Sequence, residues 1–535
     1  MTNAFFIIFN VPDYIFILPI LGILISGILC LFISNFFTRF FFIIFSIFTF
    51  AQNSYQAYYQ IFKFRVDGAV KPVIFEYLPT EYKVTQGVDW FVVIDNIAAL
   101  HIIIAGFIII ICFVHAFFNV KERFNLLAFL LFSVQLLLNT CFACPNVFIF
   151  YICFEATLIP FFLIVAVWGS RNEFKIGAAF DLIFYTLFFS ILLFGYLVLS
   201  IPSNSTPNFT HIILFSITFG AQFIFIFVSI LSFCVKVPLI PFHSWLPKAH
   251  GEAPTIGSIL LAGIILKVGT YGFYRLLWPS IYMSTNYLEL KFFLIFLSLS
   301  TILGSLLILI HETDIKKIVA LYSINHIGFV IIGLCIPKEG VIGSMVINAS
   351  HCLSSAGLFF LVGQLYQRIH SRNITEVRGL AATFPILSFF IICLFLANIS
   401  FPLTLNFTGE FSFISAFSKI FGIEIIINKE ISFIYFAIIG VWWVILIYSI
   451  ILNGIVSVRF ITILLFSTKD IPFYDGTQKF FQFNNIKLED AKLYEVVILA
   501  IIVLALIFTA IFFVDISVFF DPNISYSTRS YRSRY

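Results

Sequence analysis

Six ionisable side chains stand deep inside apolar stretches of this sequence: Glu155, Lys236, Lys267, His326, His351 and Glu410. A charge at the centre of a membrane helix costs about 2.5–3.5 kcal/mol on insertion scales, so each needs a reason to be there. The chemistry these residue types share is proton exchange. Desolvation penalises the charged form of each and an opposite neighbour restores it, which lets such groups trade protons near neutral pH. A single buried Glu155–Lys pair with neutral histidines bonded to carbonyls would be a purely structural arrangement. Stability needs one pair at most, and buried pairs are weak stabilisers. Six such groups on six helices point instead to a relay.

Their spacing fits the middle of a membrane. Glu155 stands ten residues after Pro145, about 15 Å along a helix and so halfway across roughly 30 Å of hydrocarbon. Lys267 is centred in the run 256–273, and His326 and His351 lie near the middles of theirs. Lys236 and Glu410 stand at interruptions, one made by Lys236-Val-Pro238 and Pro241, the other by Pro402 and Gly409.

The elements that must position these residues are membrane helices. Of the 535 residues 61% are hydrophobic and 10% charged, with a mean hydropathy of +1.08, against roughly 25% charged residues in soluble domains. A string of soluble domains is excluded. Apolar runs of about 20 residues suit spanning helices rather than the short alternating strands of a barrel, so the chain is expected to be an all-α polytopic membrane protein. Spans are expected near 14–34, 37–55, 96–118, 124–143, 146–167, 177–200, 213–241, 253–277, 290–310, 314–335, 340–366, 384–420, 431–460 and 495–519. That is about fourteen transmembrane helices, the first without a basic leader or cleavage site and so retained. Polar loops fall at 56–92, 202–210 and 466–494.

The seventh and twelfth spans are the broken ones. A helix break in hydrocarbon exposes backbone groups that lipid cannot satisfy, so it belongs inside protein or beside water, and paired breaks mark internal repeats around a transport site. Five spans separate the two breaks, giving two five-helix repeats. The expected domains are 1–118 (helices 1–3), 119–280 (first repeat), 281–460 (second repeat) and 461–535 (loop, last helix and tail). The segment from Pro241 to Pro254, with His243, Trp245, Lys248, His250 and Glu252, reads as an interfacial loop with a Trp anchor or as a polar junction from Lys236 to the aqueous surface. Arg171 with Glu173, Asp314 with Lys316 and Lys317, and Arg368 with His370 and Arg372 are expected to snorkel at span ends. The nine cysteines are mostly single and in apolar runs, and Cys141 and Cys144 lack a second pair, so no metal or redox centre is expected. Nucleic-acid binding has no support in a net charge of +4 with one basic cluster at Arg529, Arg532 and Arg534. The 74 phenylalanines, with abundant Ile, Asn and Tyr, suggest AT-rich coding of the kind organelle genomes show.

Several stretches, in order, resemble the antiporter-like membrane subunits of respiratory complex I, the NADH dehydrogenase of the respiratory chain. They are Phe154-Glu155-Ala-Thr-Leu-Ile-Pro160, Val235-Lys236-Val-Pro238, and Trp245-Leu-Pro-Lys248-Ala-His250-Gly-Glu252-Ala-Pro254. Next come Leu266-Lys267-Val-Gly269-Thr-Tyr271-Gly272, Asp314-Ile-Lys316, Tyr322-Ser-Ile-Asn-His326, Ser350-His351-Cys-Leu-Ser354-Ser355 and Gly409-Glu410. Within the family, Glu410 and the Lys267 motif are similar to the subunit 4 branch rather than to subunits 2 or 5.

The resemblance implies that the two five-helix repeats are inverted and that a polar axis runs along the membrane. Carried over residue by residue, Glu155 is the charge at the junction with a neighbouring subunit, Lys236 the central proton carrier, Lys267 its continuation, Glu410 the terminal carboxylate, and His326 and His351 intermediates. Two unit charges about 4 Å apart interact by about 4 kcal/mol at an effective dielectric of about 20, roughly three pKa units. Such a shift suffices to switch a lysine's proton affinity. The family also implies that the chain binds no cofactor itself, with NADH, FMN, iron–sulfur clusters and ubiquinone in partner subunits. It further implies that its partners are the lipid bilayer and other complex I membrane subunits, especially subunits 2 and 5, in the mitochondrial inner membrane. Two other readings share the motifs: a subunit of a multisubunit cation/proton antiporter, and a scaffold that spaces its neighbours.

Overall fold

The computed structural model of the chain describes residues 22–28, 36–66, 96–170, 173–199, 209, 222–282, 287–336, 339–427, 433–467 and 489–511. The first expected span beyond 22–28, Arg171, most of the loops at 67–92, 202–210 and 466–488, and the C-terminal arginines lie outside the described residues. The helices are α1 (Phe36–Val66), α2 (Asn96–Asn119), α3 (Phe124–Ala143), α4 (Val147–Ala156), α5 (Leu158–Trp168), α6 (Lys175–Leu199), α7 (Gln222–Lys236) and α8 (Trp245–Glu252). They continue as α9 (Thr255–Ile281), α10 (Tyr287–His311), α11 (Ile315–Leu334), α12 (Glu339–Ile369), α13 (Pro385–Asn398), α14 (Leu405–Ile427), α15 (Phe433–Phe466) and α16 (Leu493–Ile511). The protein is all-helical and multi-pass: among the described residues ten helices are long and apolar enough to cross a membrane.

Three boundaries differ from the sequence reading. Helix α1 runs on to Val66 instead of stopping near 55, because the polar stretch from Gln56 contains neither proline nor glycine to end it. The segment from Pro241 to Pro254 is not a loop: its second half is α8, with Trp245 and His250 buried. The twelfth span breaks at 399–404, between α13 and α14, where Ser400 and Leu403 take positive φ around Pro402. Gly409 lies inside α14 and is no part of the break.

The described helices group into two compact units, with α1 to α4 in the first, α6 to α16 in the second, and α5 crossing the boundary. In the first, α2 packs on α1 and α3 through phenylalanine contacts such as Phe113 on Phe132, 4.6 Å between ring centres. Asn146 caps α4 by accepting from the Phe148 and Ile149 amides at 2.9 and 3.3 Å. Pro160 has no N–H for the Ala156 carbonyl and its ring crowds that turn. The helix accordingly divides at Thr157, two residues after Glu155.

In the second unit α9, α11 and α12 form the interior. Their apolar windows are 100%, 94% and 100% buried, against 28% to 33% for α6, α15 and α16, whose exposed Phe184, Phe188, Val444 and Leu504 suit lipid. The enclosed helices are the ones that carry Lys267, His326 and His351. Helix α12 packs on both α11 and α14, and the α12–α14 crossing is close because Gly409 has no side chain. A Cβ there would stand 2.7 Å from Ile347 Cγ1 and 3.0 Å from the Ile347 nitrogen.

Candidate proton-relay site

Lys236 is the last residue of α7, and Pro238 and Pro241 prevent continuation. The carbonyls orphaned by the break find donors inside the protein. Phe233 accepts from the Val237 amide at 2.8 Å and Cys234 from the Leu239 amide at 2.9 Å. Val235 accepts from the indole Nε1 of Trp245 at 3.0 Å, so this tryptophan is a buried strut rather than an interface anchor. The Ile240 amide donates to Thr301 Oγ1 at 3.0 Å. The break is thus satisfied without lipid, as it must be. Lys236 itself is 1% exposed. Its stem lies on α9 at Gly269, where an added Cβ would come 3.3 Å from Lys236 Cβ and 2.5 Å from Val237.

Two residues before Gly269, Lys267 sits in a short α-helical stretch between two π-helical turns, Leu261–Ile265 and Phe273–Leu277. Such turns cluster at functional sites. Lys267 Nζ is 2.6 Å from His351 Nδ1. The His351 ring is centred 5.4 Å from that of His326, and His326 Nδ1 faces Glu410 Oε1 at 3.9 Å. All four side chains are buried. Lys267, His351, His326 and Glu410 therefore form one buried row across α9, α12, α11 and α14, with the stem of Lys236 against Gly269 two residues from Lys267. A lysine bonded to an imidazole, a second imidazole and a carboxylate in such a row are groups that can exchange protons directly or through one water between them. Glu155 belongs to the other unit, is half-buried, and stands at the end of α4.

Three features of the site add to or differ from the sequence reading. His250 is completely buried and stacks on Phe359, 4.3 Å between ring centres and 4° from parallel. Asn398, at the end of α13, bonds His326 at 3.0 Å. The third is a charged cluster where snorkelling was expected: Lys316 and Arg372 are 2% and 5% exposed. Lys316 Nζ donates to the Ala253 carbonyl at 2.7 Å and Arg372 Nη1 donates to that of Gly251. Arg372 also faces Glu252 at 3.7 Å and Asp314 at 4.0 Å, with the Tyr366 ring beneath both cations. The carbonyls at the end of α8 attract cations, which keeps these two from the interface. Cys141 and Cys144 are buried. Among the described residues no three His, Cys, Asp or Glu side chains form a metal-holding group.

The family model described as NADH:quinone oxidoreductase/Mrp antiporter, transmembrane, matches residues 144–432, the stretch that contains the whole row. The chain belongs to this family. It is 39% identical over 319 residues to NADH-ubiquinone oxidoreductase chain 4 of Acanthamoeba castellanii, covering 59% of this chain and 63% of that one. It is 37% identical over 327 residues to the protein of the same name in Marchantia polymorpha, with 61% and 66% covered. With NADH-quinone oxidoreductase subunit M of Rickettsia conorii it shares 35% over 354 residues, 63% and 71% of the two chains. The chain thus spans a little under two thirds of the length of the first two of these relatives. In fold it is similar to a chain of respiratory complex I from Thermus thermophilus, with a TM-score of 0.73 at 21% identity and 95% and 98% of the two chains covered. It is also similar to a chain of the archaeal membrane-bound sulfane sulfur reductase, with a TM-score of 0.77 at 16% identity and 96% and 98% covered.

Proposed function

We propose that this chain is a proton-translocating membrane subunit of an NADH:ubiquinone oxidoreductase of the complex I type, in the mitochondrial inner membrane. The observation that carries the reading is the buried row of Lys267, His351, His326 and Glu410, with 2.6 Å from Lys267 to His351, 5.4 Å between the two imidazole centres and 3.9 Å from His326 to Glu410. In this reading Lys236 is the central proton carrier, Lys267 hands on to the histidines, and Glu410 exchanges with one side of the membrane beside the break at 399–404. Glu155 is the charge at the junction with a neighbouring subunit, of the subunit 2 or subunit 5 type, through which a redox signal reaches Lys236. The full chain has fourteen spans with inverted repeats over 119–280 and 281–460, flanked by 1–118 and 461–535. The electron-transfer groups, FMN, iron–sulfur clusters and ubiquinone, reside in partner subunits together with the NADH site.

The test is Glu410 replaced by Ala, Asp and Gln, with proton pumping and assembled-complex levels measured side by side. A relay carboxylate predicts loss of pumping with Glu410→Ala and Glu410→Gln and partial retention with Glu410→Asp. A carboxylate that only bonds backbone at the break predicts normal pumping with Gln, and that result overturns the relay role. The Mrp antiporter half of the family description favours one second reading, a subunit of a cation/proton antiporter. Sodium-dependent proton transport without NADH oxidation distinguishes it.

A further inference from the structure

Asn398 ends α13 just before the break and is 1% exposed. Its Oδ1 lies 3.0 Å from His326 Nε2. The position is fixed from the far side of the break, where Asn406 Nδ2 donates to the Ala397 carbonyl at 2.7 Å. We infer that Asn398 is a positioning residue that holds the hydrogen of His326 on Nε2, so that this imidazole takes up and releases protons through Nδ1 alone. The inference rests on the relay reading of the row.

A neutral imidazole has one N–H and one lone pair. Which nitrogen bears the hydrogen is set by what the other atoms around the ring can accept. The amide oxygen of Asn398 accepts and cannot give up a proton. Nε2 is thereby a donor in the neutral and the charged ring alike, and the ring keeps one orientation in both states. Nδ1 bonds no other described side chain or backbone group and faces Glu410 Oε1 at 3.9 Å. Closing that gap to hydrogen-bond length takes a movement of about 1 Å. Transfer from protonated Glu410 to Nδ1 gives a carboxylate and an imidazolium, and the return step restores both. Because Asn398 cannot receive a proton, a proton handed on from His351 and one passed to Glu410 both use Nδ1 in turn, and none crosses the ring from one nitrogen to the other. The titratable groups that face His326 from the helices packed around it are Glu410 and His351, with Lys267 and His250 beyond His351.

The experiment compares Asn398→Asp and Asn398→Leu in the assembled membrane complex, measuring protons pumped per electron across a pH series, with Glu410→Gln in parallel. Asn398→Asp supplies a charged acceptor to Nε2 and is expected to retain pumping with a profile displaced upward by roughly one pH unit or more. Asn398→Leu frees the tautomer and is expected to pump several-fold less without that displacement. A merely structural Asn398 lowers complex levels in both variants and leaves the profile of the assembled fraction unmoved; that outcome overturns the assignment. Should neither variant assemble, nitrogen NMR of histidine-labelled unsubstituted complex decides, since hydrogen on His326 Nδ1 in the neutral ring is incompatible with it. Normal pumping by Glu410→Gln rejects the relay reading itself. Lost pumping there with an unmoved Asn398→Asp profile rejects only the positioning role.

Discussion

At the residue scale, Lys236 and Glu410 differ in what a substitution must preserve. Lys236 lies at the end of α7 with its stem against Gly269, so a replacement has to match both shape and proton exchange. Lys236→Met keeps the length and removes the proton, while Lys236→Arg keeps the charge but stays protonated in proteins. Both are expected to abolish proton movement through this subunit with the complex assembled. Normal pumping by the Arg variant in reconstituted vesicles would show that a fixed charge suffices. The six residues stood out in the sequence because a charge in a long apolar run has few innocent explanations, and the structure brings four of them, Lys267, His351, His326 and Glu410, into one buried row. Asn398 was not legible, and for His250 the sequence offered only membership of a polar segment: a neutral amide or one more histidine there carries no such penalty signal. Their roles come from which acceptor and which ring they meet in three dimensions.

At the element scale, the two breaks were visible as prolines inside apolar runs, but what completes them was not. Trp245 looked like an interface residue because Trp often is, whereas its indole reaches back ten residues to the Val235 carbonyl. Trp245→Phe keeps one aromatic ring but removes the five-membered ring with its N–H, leaving a buried carbonyl unsatisfied at a cost of about 1–3 kcal/mol and a void beside it. The expected result is loss of the subunit from the purified complex at a lower temperature, with pumping reduced at permissive temperature. Unchanged heat resistance would mean that the carbonyl finds another donor. The same limit applies to the cluster of Arg372, Lys316, Glu252 and Asp314. Its members are far apart in sequence, and only the fold makes the end of α8, the start of α11 and the loop after α12 neighbours.

At the scale of the whole molecule, assembly and coupling can be tested separately. The last helix is tied in by Arg368, whose Nη2 donates to the buried Glu495 at 2.6 Å, while Nε and Nη2 donate to the Glu489 and Asp490 carbonyls at 3.1 and 3.0 Å. The Asp490 carboxylate accepts from the Ile386 amide at 2.7 Å and so caps α13. The end of the charged loop at 466–494 is therefore docked, a fact its composition conceals. Arg368→Ala strands a buried carboxylate, a loss of about 3–5 kcal/mol, and is expected to lower the amount of assembled complex on native gels while leaving turnover per complex intact. Glu155→Gln tests coupling instead. Coupled NADH:ubiquinone turnover is expected to fall strongly, with electron transfer from NADH to an artificial acceptor retained. Loss of acceptor activity in fully assembled enzyme contradicts the junction role.

The fit of Gly409 against Ile347 has a genetic consequence. Every base change in a glycine codon that alters the amino acid adds at least a Cβ, and here a Cβ meets a neighbouring main-chain nitrogen. This position, immediately before Glu410, has no conservative neighbour in codon space. Base changes at this codon are therefore expected to be purged, unlike those that exchange one apolar side chain for another at the exposed phenylalanines and isoleucines.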